Sequence, residues 1–188
     1  ESQLQGTSKE HYLNEIKEVI KRSTFTYVRQ QKMLGLGHAI LTGEPLIGDE
    51  PFGVILADDL IDCSGPSVLS QMLKTFEEYK CSVIAIQEVP INDINKYGIV
   101  RGKLIPNTTD IFQINDMVEK PINTNSNLAI IGRYILTPDI FGILKKMSPD
   151  KNGEIQITDA LLTQAKKGKV IGVKFKGKRF DCGSINGY

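Results

Sequence analysis

Four short stretches carry the side chains with chemical reach. Asp58 and Asp59 close a nearly continuous apolar run, Phe52-Gly53-Val54-Ile55-Leu56-Ala57. Such a run reads as a strand buried on both faces, and acids just past its C-terminal end fall where open α/β sheets bind ligands. Two carboxylates there can hold a hard divalent cation together with substrate phosphates. They can equally cap the turn or helix that follows. Phe180-Asp181-Cys182-Gly183 offers a further carboxylate after a short β segment, with a glycine that lets the backbone approach a ligand. Alone, Asp-x-Gly is a turn signature, so Asp181 joins a metal site only if the fold carries it to Asp58.

Val118-Glu119-Lys120-Pro121 sets an acid beside a base where a proline ends a strand. Adjacent strand residues face opposite ways, so both reach one pocket only through an irregular backbone. In that case Glu119 accepts hydrogen bonds from sugar hydroxyls while Lys120 neutralises a phosphate; otherwise they form a solvated surface pair. Gly35-Leu36-Gly37, ahead of a helix, can aim amides at an anion or let a planar base lie against the chain, although tight turns use the same residues. Gln30 and Gln31 carry the paired donor and acceptor that suit a base edge, or sit solvated in a loop. His38 has no obvious acid partner and reads as a capping or packing residue.

The elements that must position these residues alternate. Thr7-Ser8-Lys9-Glu10 has the form of a capping box, and Leu13, Ile16, Val19 and Ile20 recur at helical spacing behind it. Thr24 to Val28 is β-branched and aromatic and reads as a strand. Strand Phe52 to Ala57, helix Pro66 to Tyr79 and strand Ser82 to Gln87 follow, an alternation that argues for a parallel sheet covered by helices. Tyr97 to Val100 and Phe112 to Val118 read as the arms of a hairpin or as an excursion, joined by the polar stretch Lys103 to Asp110. Ile122 to Ser126 reads as a loop before strand Leu128 to Leu136. Helices are expected at Pro138 to Lys146 and Ile155 to Ala165, with closing β-structure at Val170 to Phe175 and Lys178 to Phe180.

At 188 residues and 40% hydrophobic, the chain suffices for one domain with a sizeable core. Its 23 basic and 22 acidic residues leave a net charge of +1, so no global field draws it to nucleic acid or an anionic membrane, and a small-molecule substrate is the default. Cys63, Cys81 and Cys182 are scattered and form no C-x-x-C pair, which argues against a disulfide framework or a zinc site and suits a reducing cytoplasm. No apolar run approaches the ~20 residues of a membrane span, and no basic-then-apolar leader opens the chain. The start at Glu1, without methionine, gives the expectation of further upstream sequence.

In order along the chain, Val28-Arg29-Gln30, Leu34-Gly35-Leu36-Gly37-His38-Ala39, Ile55-Leu56-Ala57-Asp58-Asp59, Tyr97-Gly98-Ile99-Val100, Val118-Glu119-Lys120-Pro121, Asn127-Leu128-Ala129-Ile130-Ile131-Gly132-Arg133-Tyr134, Gly153-Glu154-Ile155-Gln156-Ile157-Thr158-Asp159-Ala160 and Asp181-Cys182-Gly183 resemble the bacterial UTP-glucose-1-phosphate uridylyltransferases. The likeness runs from Glu1 to Tyr188. It implies an α/β, Rossmann-like nucleotidyltransferase fold with a mixed, mostly parallel sheet and helices on both faces. It implies a Mg2+-dependent enzyme that makes UDP-glucose and pyrophosphate from UTP and glucose 1-phosphate. By the same resemblance, Gln30 and Gly35 fall at the uracil, Gly98, Glu119 and Gly132 at the sugar, and Lys120 at the sugar phosphate. Asp58 and Asp181 fall at the metal, and Asp58 and Lys120 are the catalytic residues. A cytoplasmic enzyme, homo-oligomeric when full length, without nucleic-acid or membrane partners, is the corresponding expectation.

The family's opening strand, its Gly-x-Gly-Thr-Arg loop and the Pro-Lys-Glu segment after it have no counterpart in these 188 residues. The chain also reaches Gly187-Tyr188 where the family continues into helix. Residues 1–188 are therefore expected to form the central and C-terminal part of one nucleotidyltransferase catalytic domain, with its N-terminal part missing. Two other readings stay open: a sugar-1-phosphate nucleotidyltransferase that uses dTTP, and a sugar-nucleotide-binding fragment without chemistry. Gly-Leu-Gly-His-Ala and Asp-Cys-Gly favour the uridine enzyme.

Overall fold

The computed structural model describes residues 5–183; Glu1 and the Gly187-Tyr188 end of the resemblance lie outside them. Helix α1 (Glu10–Lys21) leads through an irregular stretch to α2 (Gly35–Thr42) and the short α3 (Glu44–Ile47). Strands β1 (Phe52–Ile55) and β2 (Asp59–Asp62) precede α4 (Val68–Tyr79) and β3 (Ser82–Glu88). A 3₁₀ turn, Ile91–Lys96, enters the hairpin β4 (Gly98–Leu104) and β5 (Ile111–Glu119). Then come β6 (Leu128–Leu136), α5 (Asp139–Leu144), α6 (Ile157–Ala165), β7 (Val170–Lys174) and β8 (Lys178–Asp181).

Six strands form one sheet in the order β1-β6-β3-β7-β5-β4, while β2 and β8 pair separately. The sheet is mixed, and helices cover both faces. Along β3 the side chains alternate: Ile84 and Ile86 enter a core with α5 and α6, and Val83 and Ala85 enter a second core with Val68 and Met72 of α4. All four are fully buried, as expected for a central strand with both faces covered. The expected parallel predominance is not met among the described residues. Only β3 and β7 run parallel, because β4 and β5 are joined directly as a hairpin and β6 inserts antiparallel between β1 and β3.

Three local expectations are corrected. The run from Phe52 is not buried on both faces, since among the described residues β1 is an edge strand that pairs with β6 alone. Phe52 and Val54 turn inward, whereas Gly53 and Ile55 are exposed. Thr24 to Val28 forms no strand and lies exposed; β propensity expresses itself through cross-strand packing, and no described strand runs beside this segment. The capping box at Thr7 also resolves differently. Glu10 accepts from the Gly6 N–H and the Thr7 hydroxyl accepts from the Lys9 N–H, so a turn forms first and the helix begins from Lys9. On α1 only Leu13 is buried, with Ile16, Val19 and Ile20 exposed.

The glycine-rich start of α2 is held against the segment before α6. Gly37 N–H donates to Ile155 O at 2.9 Å, and a Cβ on Gly37 would stand 2.6 Å from that same oxygen. Backbone cannot yield as a flexible side chain can, so Gly37→Ala should destabilise the fold by about 1–3 kcal/mol. Urea unfolding should show a lower midpoint with an unchanged slope. A midpoint equal to wild type would mean that α2 is free to move off the Ile155 segment.

Candidate active site

One cavity of about 390 Å3 gathers Gly35, Asp58, Gly98, Glu119, Lys120, Gly132 and Asp181. They come from the start of α2, the loop after β1, β4, the end of β5, β6 and β8, elements spread along the chain from residue 35 to residue 181. A larger cleft, about 760 Å3, opens beside α4 and β8. None of the candidate residues lines it, so volume is a poorer guide here than the convergence of acids and glycines.

The two adjacent aspartates divide their roles. Asp59 is 8% exposed; its Oδ2 accepts the Gly132 N–H at 2.8 Å and its Oδ1 pairs with Arg179 Nε. Asp58 is exposed, and its carboxylate has no hydrogen-bond partner among the described residues. Neither residue caps a helix, because the chain runs on into β2. Asp58 O accepts from Cys182 N–H at 2.7 Å, which draws the loop after β1 onto the turn after β8. The result is that Asp58 and Asp181 open on the same space. A Cβ on Gly183 would stand 3.6 Å from Asp58 Oδ2 and 3.2 Å from Asp181 Oδ1. Two convergent carboxylates of this kind fit a hard cation that draws its remaining ligands from phosphate and water. Among the described residues no cluster of three or more His, Cys, Asp or Glu forms a closed metal cage.

The Glu119-Lys120 pair reaches the cavity through the irregular backbone that a shared site requires. Lys120 takes a left-handed φ of 44°, uncommon outside glycine, and its N–H donates to Tyr97 O at 3.0 Å. Strand alternation is thereby broken, and Lys120 Nζ stands 3.9 Å from Glu119 Oε1. The Thr158 hydroxyl donates to Glu119 Oε2 at 2.6 Å, which fixes the carboxylate and leaves Oε1 toward the cavity. Gly98 lies opposite Glu119 in register. A Cβ there would approach Thr158 Oγ1 to 3.0 Å and Glu119 Oε2 to 3.1 Å, so glycine preserves this contact.

Gly132 lines the cavity for a packing reason. Its N–H is taken by Asp59, and a Cβ would stand 2.7 Å from both Asp59 Oδ2 and Leu56 Cβ. Gln30 does not line the cavity. It sits behind Gly35, donating from Nε2 to Gly35 O at 3.1 Å and to His38 Nδ1 at 2.9 Å. Because Gly35 O can only accept, the amide orientation is fixed, and Oε1 is left without a partner among the described residues. His38 is therefore a partner of Gln30, in keeping with its structural reading.

Besides Thr158, four contributors carry no assignment from the sequence. Arg179, 11% exposed at its side chain, pairs with Asp59 and, at 3.2 Å, with Asp181. Burial works against its cation, but the Tyr97 hydroxyl and the Asp59 carboxylate outweigh that cost and raise its pKa. Strand period two puts Arg179 on the face of Asp181, the one signal that pointed to it. Tyr97 donates to Asp181 Oδ2 at 3.1 Å. Arg133 reaches the carbonyls of Leu56 and Asp59, bracing the loop that carries Asp58. Tyr134 lines the cavity as a neutral phenol: burial raises its pKa, and Glu119, Asp59 and Asp58 raise it further.

A mixed sheet with helices on both faces, its acids and glycines drawn to one cavity, defines an α/β enzyme of the nucleotidyl transferase class. The chain belongs to that family, whose profile, Nucleotidyl transferase, matches residues 4–188. Within it, the chain is 59% identical to UTP-glucose-1-phosphate uridylyltransferase of Pseudomonas aeruginosa, over 100% of its own length and 68% of the relative's. An apo UDP-glucose pyrophosphorylase structure superposes with a TM-score of 0.93 at 56% identity, over 100% of this chain and 69% of that one. A UDP-glucose pyrophosphorylase complexed with UDP-glucose gives 0.91 at 56% identity, over 96% and 69%. A UTP-bound UGPase from Acinetobacter baumannii gives 0.83 at 34% identity, over 100% and 65%. Among the described residues no helix is long and apolar enough to cross a membrane.

The buried pair yields a stability prediction. Arg179→Met leaves the Asp59 carboxylate buried without its cation, which should cost about 3–5 kcal/mol in chemical denaturation. A loss below 1 kcal/mol would mean that the Asp59 carboxylate is solvated instead.

Proposed function

We propose that residues 1–188 are the central and C-terminal part of one catalytic domain which, in the full-length enzyme, transfers UMP from UTP to glucose 1-phosphate, giving UDP-glucose and pyrophosphate. The observation that carries the reading is the convergence of the seven motif residues on one cavity. It is supported by 59% identity to a uridylyltransferase and by the likeness to structures holding UDP-glucose and UTP.

The reaction joins two anionic reactants, with a phosphate oxygen of the sugar attacking the α-phosphorus in line with departing pyrophosphate. Asp58 and Asp181 are the residues that would hold Mg2+, which when bound screens this repulsion and polarises the α-phosphate. Lys120 holds the sugar phosphate in line, its ammonium carried into the cavity by the left-handed backbone. Glu119 Oε1 accepts from a sugar hydroxyl, since Thr158 already occupies Oε2. Gly35 offers the base a flat approach; Gln30, which lies behind Gly35 and outside the cavity lining, has in Oε1 an acceptor suited to the N3–H of a uracil that extends past Gly35. No general base is needed, because the attacking oxygen is already ionised. Three free cysteines suit a cytoplasmic location, and homo-oligomerisation of the full-length protein, implied by the resemblance, is read by light scattering.

Pyrophosphate release measured with UTP or dTTP and a series of sugar 1-phosphates tests the reading. Turnover should be fastest with UTP and glucose 1-phosphate. Equal or faster turnover with dTTP would overturn the uridine assignment, and UDP-glucose binding without pyrophosphate release would indicate a binding fragment. Asp58→Ala should abolish Mg2+-dependent turnover, whereas near-normal activity would remove Asp58 from the metal site. Lys120→Ala should lower kcat by about 10²–10³-fold, the scale for loss of one electrostatic contact to the reacting phosphates; an effect confined to the KM for UTP would place the lysine elsewhere.

A further inference from the structure

Asp181 is held by two side chains, Tyr97 and Arg179, that line the cavity beside it. In the β2–β8 pair Asp59 lies directly opposite Asp181, an arrangement that sets like charges face to face. Arg179 lies on the same face and binds both carboxylates, Asp59 through Nε and Asp181 through Nη2 at 3.2 Å. Its Nη1 donates at 3.1 Å to Tyr97 Oη, which donates in turn at 3.1 Å to Asp181 Oδ2. The guanidinium also lies 5.0 Å from the centre of the Tyr97 ring, within cation–π range. Asp181 Oδ2 thus receives two donors, and Oδ1, which accepts the Gly183 N–H at 3.1 Å, is left on the side of Asp58.

Tyr97 also reaches the other wall of the cavity. Its carbonyl accepts the Lys120 N–H, the bond that holds the lysine in its left-handed conformation. One residue therefore touches the metal-side carboxylate with its side chain and the phosphate-side lysine with its backbone.

We propose that Tyr97 and Arg179 are positioning residues that orient Asp181 for a divalent cation, with Tyr97 registering the cation wall against the Lys120 wall. The proposal rests on reading Asp58 and Asp181 as the cation ligands. Removing only the hydroxyl, in Tyr97→Phe, keeps the ring and the backbone bond to Lys120 while leaving Asp181 Oδ2 with Arg179 Nη2 as its one side-chain donor among the described residues. Partners of metal ligands typically change affinity by about 10–100-fold when removed, so the Mn2+ dissociation constant should rise roughly tenfold. Arg179→Lys keeps the charge but loses the planar fork that spans both aspartates, and should weaken Mn2+ similarly.

The test is a Mn2+ titration of the protein with UDP-glucose present, followed by electron paramagnetic resonance. Wild type, Tyr97→Phe, Arg179→Lys and Asp181→Asn are compared, with melting temperatures taken in parallel. Weaker Mn2+ binding in Tyr97→Phe and Arg179→Lys, beside near-complete loss in Asp181→Asn, supports the proposal. Lower melting temperatures with wild-type Mn2+ affinity in Tyr97→Phe and Arg179→Lys would make both residues merely structural. That result would overturn the proposal while Asp181→Asn still upheld the metal reading. Wild-type Mn2+ affinity in Asp181→Asn would overturn both.

Discussion

The site depends on a buried arginine that makes two facing carboxylates compatible. Across β2 and β8, Asp59 and Asp181 stand opposite one another, and Arg179 joins them from the same face. Breaking a buried pair of this kind costs far more than the pair contributes against an apolar replacement. Its value lies in what it fixes. With Asp59 tied to Arg179 and to Gly132, the loop before β2 turns Asp58 outward. With Asp181 tied to Arg179 and Tyr97, its second oxygen opens toward Asp58.

The same division between committed and open atoms recurs at Glu119 in the cavity and at Gln30 behind it. Glu119 gives one oxygen to Thr158 and keeps the other for the cavity. Gln30 spends its amide nitrogen on Gly35 and His38 and keeps its carbonyl oxygen. Such arrangements set donor and acceptor directions before a ligand arrives, which reduces the cost of reorganisation on binding and reaction. Lys120 is the strained member. A left-handed non-glycine residue costs about 1–3 kcal/mol, and the bond from its N–H to Tyr97 O holds it there.

Much of this was legible in the sequence where a segment's own pattern decides its structure. Leu128 to Leu136 reads as a strand and is one to the residue, with every position but Leu128 and Arg133 buried. Helix α4 falls within the expected Pro66 to Tyr79, and the Gly98–Glu119 hairpin joins the two β-like segments on either side of a polar stretch; the Ser67 cap of α4 is seen in the structure. Thr24 to Val28 and the run from Phe52 were read differently from what they are because strand pairing and two-sided burial belong to neighbours, which a segment does not encode. The separation of Asp58 from Asp59 was equally hidden, since it depends on Arg179, 120 residues away from Asp59. Tyr97 and Thr158 act through partners 84 and 39 residues distant, and their types carry no local signal.

That Asp58 and Asp181 form one site, although they follow β1 and close β8 far apart in the sequence, is the claim on which the chemistry turns. A double-mutant cycle on Mn2+ affinity, using Asp58→Asn, Asp181→Asn and the pair in the presence of UDP-glucose, addresses it directly. Two ligands of one ion should be strongly non-additive, with the double variant binding Mn2+ little more weakly than either single variant. Additive losses would mean that the two carboxylates act at separate places, and the single-cation account would be wrong.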